Sequence, residues 1–138
     1  YKIMENISLR VHHDISPRST YNDSSASQTI TSAAIAYSTE NMTFGAEQNQ
    51  KKNTNNVIDA EQDIISLYGA YNISDKYTVF ARYDDATETD KEGSYTIYGI
   101  ERKMTKGVTI ALNMQSWTDA EEGSEAESTL FINLEYKF

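Results

Sequence analysis

Apolar residues recur at every second position along this chain, and that period constrains the fold more than any other feature. Val108, Ile110, Leu112 and Met114 alternate with Thr109, Ala111, Asn113 and Gln115, and Tyr77, Val79, Ala81 and Tyr83 alternate with Thr78, Phe80, Arg82 and Asp84. Neighbouring side chains of a β-strand point to opposite faces, so the pattern predicts strands with two chemically different sides. No stretch carries a matching 3.6-residue period. Strands are predicted at about 7–14, 29–38, 42–50, 63–72, 76–84, 94–103, 108–117 and 128–138.

The predicted connections alternate in length. Short ones fall at Ser38–Asn41, Ile73–Asp75 and Met104–Gly107; long ones fall at Asp14–Gln28, Gln50–Gln62, Asp85–Gly93 and Thr118–Glu127. Short turns at one end and longer polar loops at the other are what an up-and-down transmembrane barrel shows, whereas a soluble sandwich has no reason to sort its loops in this way. The segments around Tyr37–Phe44 and Tyr71–Val79 look alike, each with a Tyr, a polar turn and an apolar–Thr–apolar restart. Tyr1–Leu9 has the same form, which makes Glu5-Asn6 a turn after an earlier strand and predicts a chain that begins mid-barrel. The alternative, one strand from Tyr1 to Asp14, would put Glu5 on the face of Ile3, Ile7 and Leu9.

Composition then removes several classes. The net charge is −9 with 12 Lys and Arg against 21 Asp and Glu, so no basic stripe is present to meet nucleic acid. There is no Cys, hence no disulfide or thiol chemistry. Mean hydropathy is −0.62, and no apolar run approaches the roughly 18 residues of a membrane helix. Neither excludes a barrel, whose strands average an oily face with a wet one. Ten of the fifteen aromatic residues are Tyr, a side chain suited to a surface that is apolar at one end and wet at the other. No Ser–His–acid set, Gly-rich phosphate loop or zinc-ligand spacing is visible, so the chain reads as neither an enzyme nor a cofactor or metal protein. His12 and His13 are adjacent and would point to opposite faces of a strand.

The end of the chain carries a resemblance. Leu130, Ile132, Leu134, Tyr136 and Phe138 alternate with Phe131, Asn133, Glu135 and Lys137. This segment resembles the C-terminal signature of Gram-negative outer-membrane β-barrel proteins, with an aromatic two residues before a terminal Phe. The resemblance implies a place in the bacterial outer membrane and reading of this strand by the barrel assembly machinery. It also implies outer-membrane lipids and lipopolysaccharide as surroundings. More broadly, Leu67–Tyr71, Val79–Asp84, Tyr98–Glu101 and Ala111–Gln115 look like closing strands of porins, including the phosphate-selective type. A porin resemblance brings with it passive diffusion of small hydrophilic solutes or ions and a homotrimer. The external loops here are acidic and lack a lysine-rich segment, so anion selectivity is not carried over.

The expected fold is thus a single all-β domain, an antiparallel up-and-down transmembrane barrel with about eight strands in this chain, either complete or the last part of a larger one. Alternation directs Arg10, His12, Glu47, Arg82, Asp84, Asn113, Gln115, Asn133, Glu135 and Lys137 inward, where they would line water in a wide barrel or form a hydrogen-bonded plug in a narrow one. Tyr37, Tyr71, Tyr77, Tyr136 and Phe138 would form the aromatic girdle beside the short turns. Trp117 would lie near the outer rim. The facing of 94–103 stays open, because both registers hold apolar residues. The acidic sets Asp84, Asp85, Glu88, Asp90, Glu92 and Asp119, Glu121, Glu122, Glu125, Glu127 read as solvated loops, without the ligand series of a calcium loop. The rival function is a small non-conducting eight-stranded barrel that acts as a structural, adhesive or surface-interaction protein through those loops.

Overall fold

A computed structural model describes residues 2–17, 26–88, 91–118 and 125–137. They form one sheet in strict sequence order: β1 (Lys2–Met4), β2 (Ile7–Ser16), β3 (Gln28–Ser38), β4 (Met42–Lys52), β5 (Glu61–Asn72), β6 (Tyr77–Glu88), β7 (Lys91–Thr105), β8 (Val108–Thr118) and β9 (Glu127–Tyr136). Every adjacent pair is antiparallel. The chain is therefore all-β with up-and-down strands. The eight long strands are those predicted, and the three-residue β1 precedes a turn at Glu5-Asn6. Among the described residues no ladder joins β9 to β1 or β2.

Short turns connect β3 to β4, β5 to β6 and β7 to β8, each with local chemistry that ends the strand. The Thr39 amide donates to the Met42 carbonyl at 2.8 Å, and the Met42 amide donates to Thr39 Oγ1 at 3.2 Å. Gly107 has φ +78°, a left-handed conformation that glycine adopts without strain, and its carbonyl accepts from the Lys137 amide at 2.7 Å.

At the opposite end the long connections are shorter than expected. The strands run further than the alternation does, and β6–β7 pairing continues to Glu88↔Lys91, leaving only residues 89 and 90 between them. The long loop predicted at Asp85–Gly93 is in fact a hairpin extension. The polar residues Asp85 and Thr87 sit opposite Ser94 and Glu92, and pairing of backbone groups continues without any apolar alternation to announce it. The segment between β4 and β5 is also built rather than loose. Asn53, Asn55, Asn56 and Asp59 all have positive φ, from 54° to 62°, a region that short polar side chains tolerate best after glycine. Asn53 Nδ2 donates to the Ser27 carbonyl at 3.0 Å and Asn56 Nδ2 to the Ala26 carbonyl at 2.9 Å, strapping this segment to the chain entering β3.

The sheet has no apolar core. Among the described residues no hydrophobic side chain is buried, whereas Ser66 is 0% and Asn113 3% exposed. The accessible surface is 10192 Å² for a chain of 15.6 kDa; a compact monomer of that mass exposes about 7,200 Å².

Candidate functional site

The pairing register divides the sheet into two faces. The outer face takes the odd residues of β2, β3, β5 and β6 and the even residues of β4, β7, β8 and β9. Its middle is apolar and open: Ile35 is 49% exposed, Leu67 57%, Tyr98 54% and Ile132 75%. Towards the long-loop end it turns polar, with Asp63, Asp85, Ser116 and Ser128. On β5 the span from Tyr71 to Asp63 is eight residues; Tyr77 to Asp85 on β6, Val108 to Ser116 on β8 and Tyr136 to Ser128 on β9 have the same length.

That belt runs obliquely across the sheet. The outer-face ladder pairs closest to the short turns are Tyr136 opposite Val108, Tyr77 opposite Arg102, Met42 opposite Tyr71, and Ile7 opposite Tyr37. Followed through the register, each such pair lies two residues further along than the pair before it, one residue per strand. With a rise of about 3.4 Å per residue and strands about 4.8 Å apart, this is a tilt of about 35°. Eight residues, about 27 Å along the strand, then stand about 22 Å tall. Transmembrane barrels tilt their strands by about 35–45° and carry an apolar band about 25 Å high.

The other face is polar, and its crowding marks it as the concave side of the sheet. A Cβ added at Gly45 or Gly99, which belong to it, would come within 2.6 Å of neighbouring atoms, whereas one at Gly69 on the outer face would meet nothing nearer than 3.6 Å. Tyr68 covers Gly45, its Oη 2.6 Å from that Cβ position, an aromatic ring laid over a glycine gap. Arg82 is the centre of the polar network. Its Nε donates to both oxygens of Asp84, at 2.8 and 3.0 Å, and its Nη2 donates to Ser66 Oγ at 2.9 Å. Asn49 Nδ2 donates to Glu47 Oε1 at 2.9 Å, Gln115 Nε2 donates to Asn113 Oδ1 at 3.0 Å, and the Tyr95 hydroxyl donates to Gln115 Oε1.

Of the ten residues predicted to project inward, Arg10, Glu47, Arg82, Asp84, Asn113, Gln115, Asn133 and Glu135 lie on this concave face, and Lys137 follows the end of β9. Arg10, Glu47 and Asp84 share one transverse row, which also holds Tyr95, Trp117 and Glu127. Arg82 and Gln115 share the next row. Asn133 and Glu135 lie nearer the short turns, and Glu135 pairs with Lys137 at 3.1 Å. His12 is on the concave face, while His13 is on the outer one, its Nδ1 3.0 Å from Thr31 Oγ1.

Tyr37, Tyr71, Tyr77 and Tyr136 lie on the outer face beside the short turns, and Leu130, Ile132 and Leu134 continue the line of Tyr136 along β9. Phe138 lies outside the described residues, as do Asp90, Asp119, Glu121 and Glu122. The register settles β7: Tyr98 and Ile100 face outward, Tyr95 and Ile97 inward. Sequence reasoning missed Ser66, Tyr95 and Asn49 as partners, because cross-strand neighbours are set by register. It also missed Arg102, a cation on the outer face. No group of three or more His, Cys, Asp or Glu side chains among the described residues is placed to hold a metal ion.

The network predicts a stability effect. Arg82→Leu would leave Asp84, 15% exposed, without its cation. Removing one partner of a buried pair costs about 3–5 kcal/mol; with the Arg82 side chain 36% exposed, about 1–2 kcal/mol is expected. The loss is read as a lower urea midpoint, and Arg82→Lys should recover part of it.

Comparison with known proteins adds no identification: no known protein family, curated protein or solved structure matches this chain.

Proposed function

We propose that this chain forms part of the wall of an outer-membrane channel of the porin type, through which small hydrophilic solutes and ions diffuse passively. The observation that carries the reading is the inverted burial: exposed apolar side chains form a belt on one face while the buried side chains on the other are polar. In water such an arrangement wastes the hydrophobic effect; in a bilayer it is the arrangement that satisfies both solvents. The belt's height and tilt support the same reading. So does β9, whose Leu130, Ile132, Leu134 and Tyr136 all face outward, as the resemblance to outer-membrane proteins requires. The concave face would line the water-filled path, with Arg10, Glu47, Arg82 and Asp84 biasing which ions pass. The short turns would lie on the periplasmic side and the acidic ends of the strands outside the cell, beside lipopolysaccharide.

One observation favours the rival, a narrow barrel that does not conduct. Tyr68, Phe80, Tyr95, Trp117 and Phe131 also point to the concave side and would fill a small lumen. Single-channel recording separates the two. The full-length protein, shown to be inserted by protection from external protease, is expected to give discrete conductance steps in planar bilayers. Inserted protein that leaves the bilayer silent would overturn the channel reading in favour of the rival.

A further inference from the structure

Arg102 stands apart on the outer face. Between the short turns and the middle of the belt it is the one charged side chain that the described strands present on that side. Its neighbours are apolar: Ile100 and Met104 along β7, and Ile110 across the ladder on β8. Its guanidinium carbon lies 5.5 Å from the centre of the Tyr77 ring, and no carboxylate among the described residues pairs with it. The Lys103 amide donates to the Lys76 carbonyl at 2.9 Å, which ties the turn before Tyr77 to β7 beside Arg102. An unpaired cation at the border of an apolar belt is costly unless the surroundings supply an anion.

We propose that Arg102, braced on Tyr77, is a docking point for the phosphate of a membrane phospholipid on the short-turn side. The inference rests on the membrane reading above. The long arm lets the head group reach the border from among apolar neighbours. The planar guanidinium grips two phosphate oxygens at once, which a lysine ammonium cannot. The Tyr77 face holds the cation without neutralising it, leaving the donors free for the lipid. The remaining charges of this end, such as Asp75 and Glu101, do not quench it: neither lies within ion-pair distance of Arg102.

The test is native mass spectrometry of the full-length protein released from detergent containing phosphatidylglycerol, or diacylglycerol with the same chains. The wild type is expected to retain phosphatidylglycerol and not diacylglycerol. Arg102→Gln should weaken retention about tenfold, the loss of a charge-assisted contact; Arg102→Lys and Tyr77→Leu should fall between. Millimolar inorganic phosphate should not displace the lipid. Competition by free phosphate, or unchanged retention in a folded Arg102→Gln protein, overturns the proposal. Folding of each variant is checked by its heat-dependent gel mobility. Failure of the wild type to insert into vesicles would instead refute the membrane reading, so the two failures can be told apart.

Discussion

Replacing Ile132 with arginine is expected to destabilise the folded protein in lipid vesicles by about 2–4 kcal/mol, the cost of a basic residue at the bilayer midplane. That is roughly a 30- to 700-fold loss in the folding equilibrium. Ile132 lies on the outer face midway between Tyr136 and Ser128, and it is 75% exposed. If that face met water, the substitution would relieve an exposed hydrophobe and leave stability unchanged or improved. The sign of the effect therefore tells which solvent touches the belt. Asn133→Arg, one residue along on the concave face, is the internal comparison and should cost much less. Urea titration of both variants, refolded into vesicles of the same lipid, reads the difference. Equal midpoints for the two variants would remove the membrane reading and the channel with it.

The parts of this architecture that were legible in the sequence are those where the two faces differ most. On β8 and β9 the alternation of Ile110, Leu112, Ile132 and Leu134 with Asn113, Asn133 and Glu135 separates the faces without ambiguity. The turn at Glu5-Asn6 was legible because a carboxylate would otherwise fall on an apolar face. On β7 the same rule fails. Tyr95 and Ile97 on one side match Tyr98 and Ile100 on the other, and only pairing with β8 assigns them. The extension of β6 and β7 to Glu88↔Lys91 was illegible for a related reason: beyond the belt both faces carry polar or small residues, so nothing alternates. The strap of Asn53 and Asn56 on residues 26 and 27 joins positions far apart in the chain through side-chain amides, which no local pattern encodes. The tilt is a property of register and is hidden from any single strand.

Curvature gives the other large effect. Gly99→Ala is expected to destabilise the sheet by about 1–3 kcal/mol, the usual range for an overpacked site, and Gly99→Val by more. A Cβ there would lie 2.5 Å from the Leu112 carbonyl oxygen, 2.6 Å from Asn113 Cβ and 2.9 Å from Asn113 Cα. Two of the three atoms are backbone, so β8 itself must move, and Asn113 with its 3% exposure has nowhere to go. Gly69→Ala makes the opposite prediction. Its Cβ would meet the Thr43 carbonyl oxygen at 3.6 Å and Phe44 Cβ at 3.7 Å, ordinary contacts. Removing a flexible glycine from a strand then stabilises by about 0.5–1 kcal/mol. The two glycines belong to one sheet and differ in which face they serve. On the concave side the Cβ positions converge and the missing side chain makes room for the bend; on the convex side they diverge. Urea midpoints that fall for Gly99→Ala and hold or rise for Gly69→Ala follow from a sheet curled around its polar face. If Gly69→Ala proves the more damaging of the two, the polar side is not the inside of the curve, and it cannot be the wall of a pore.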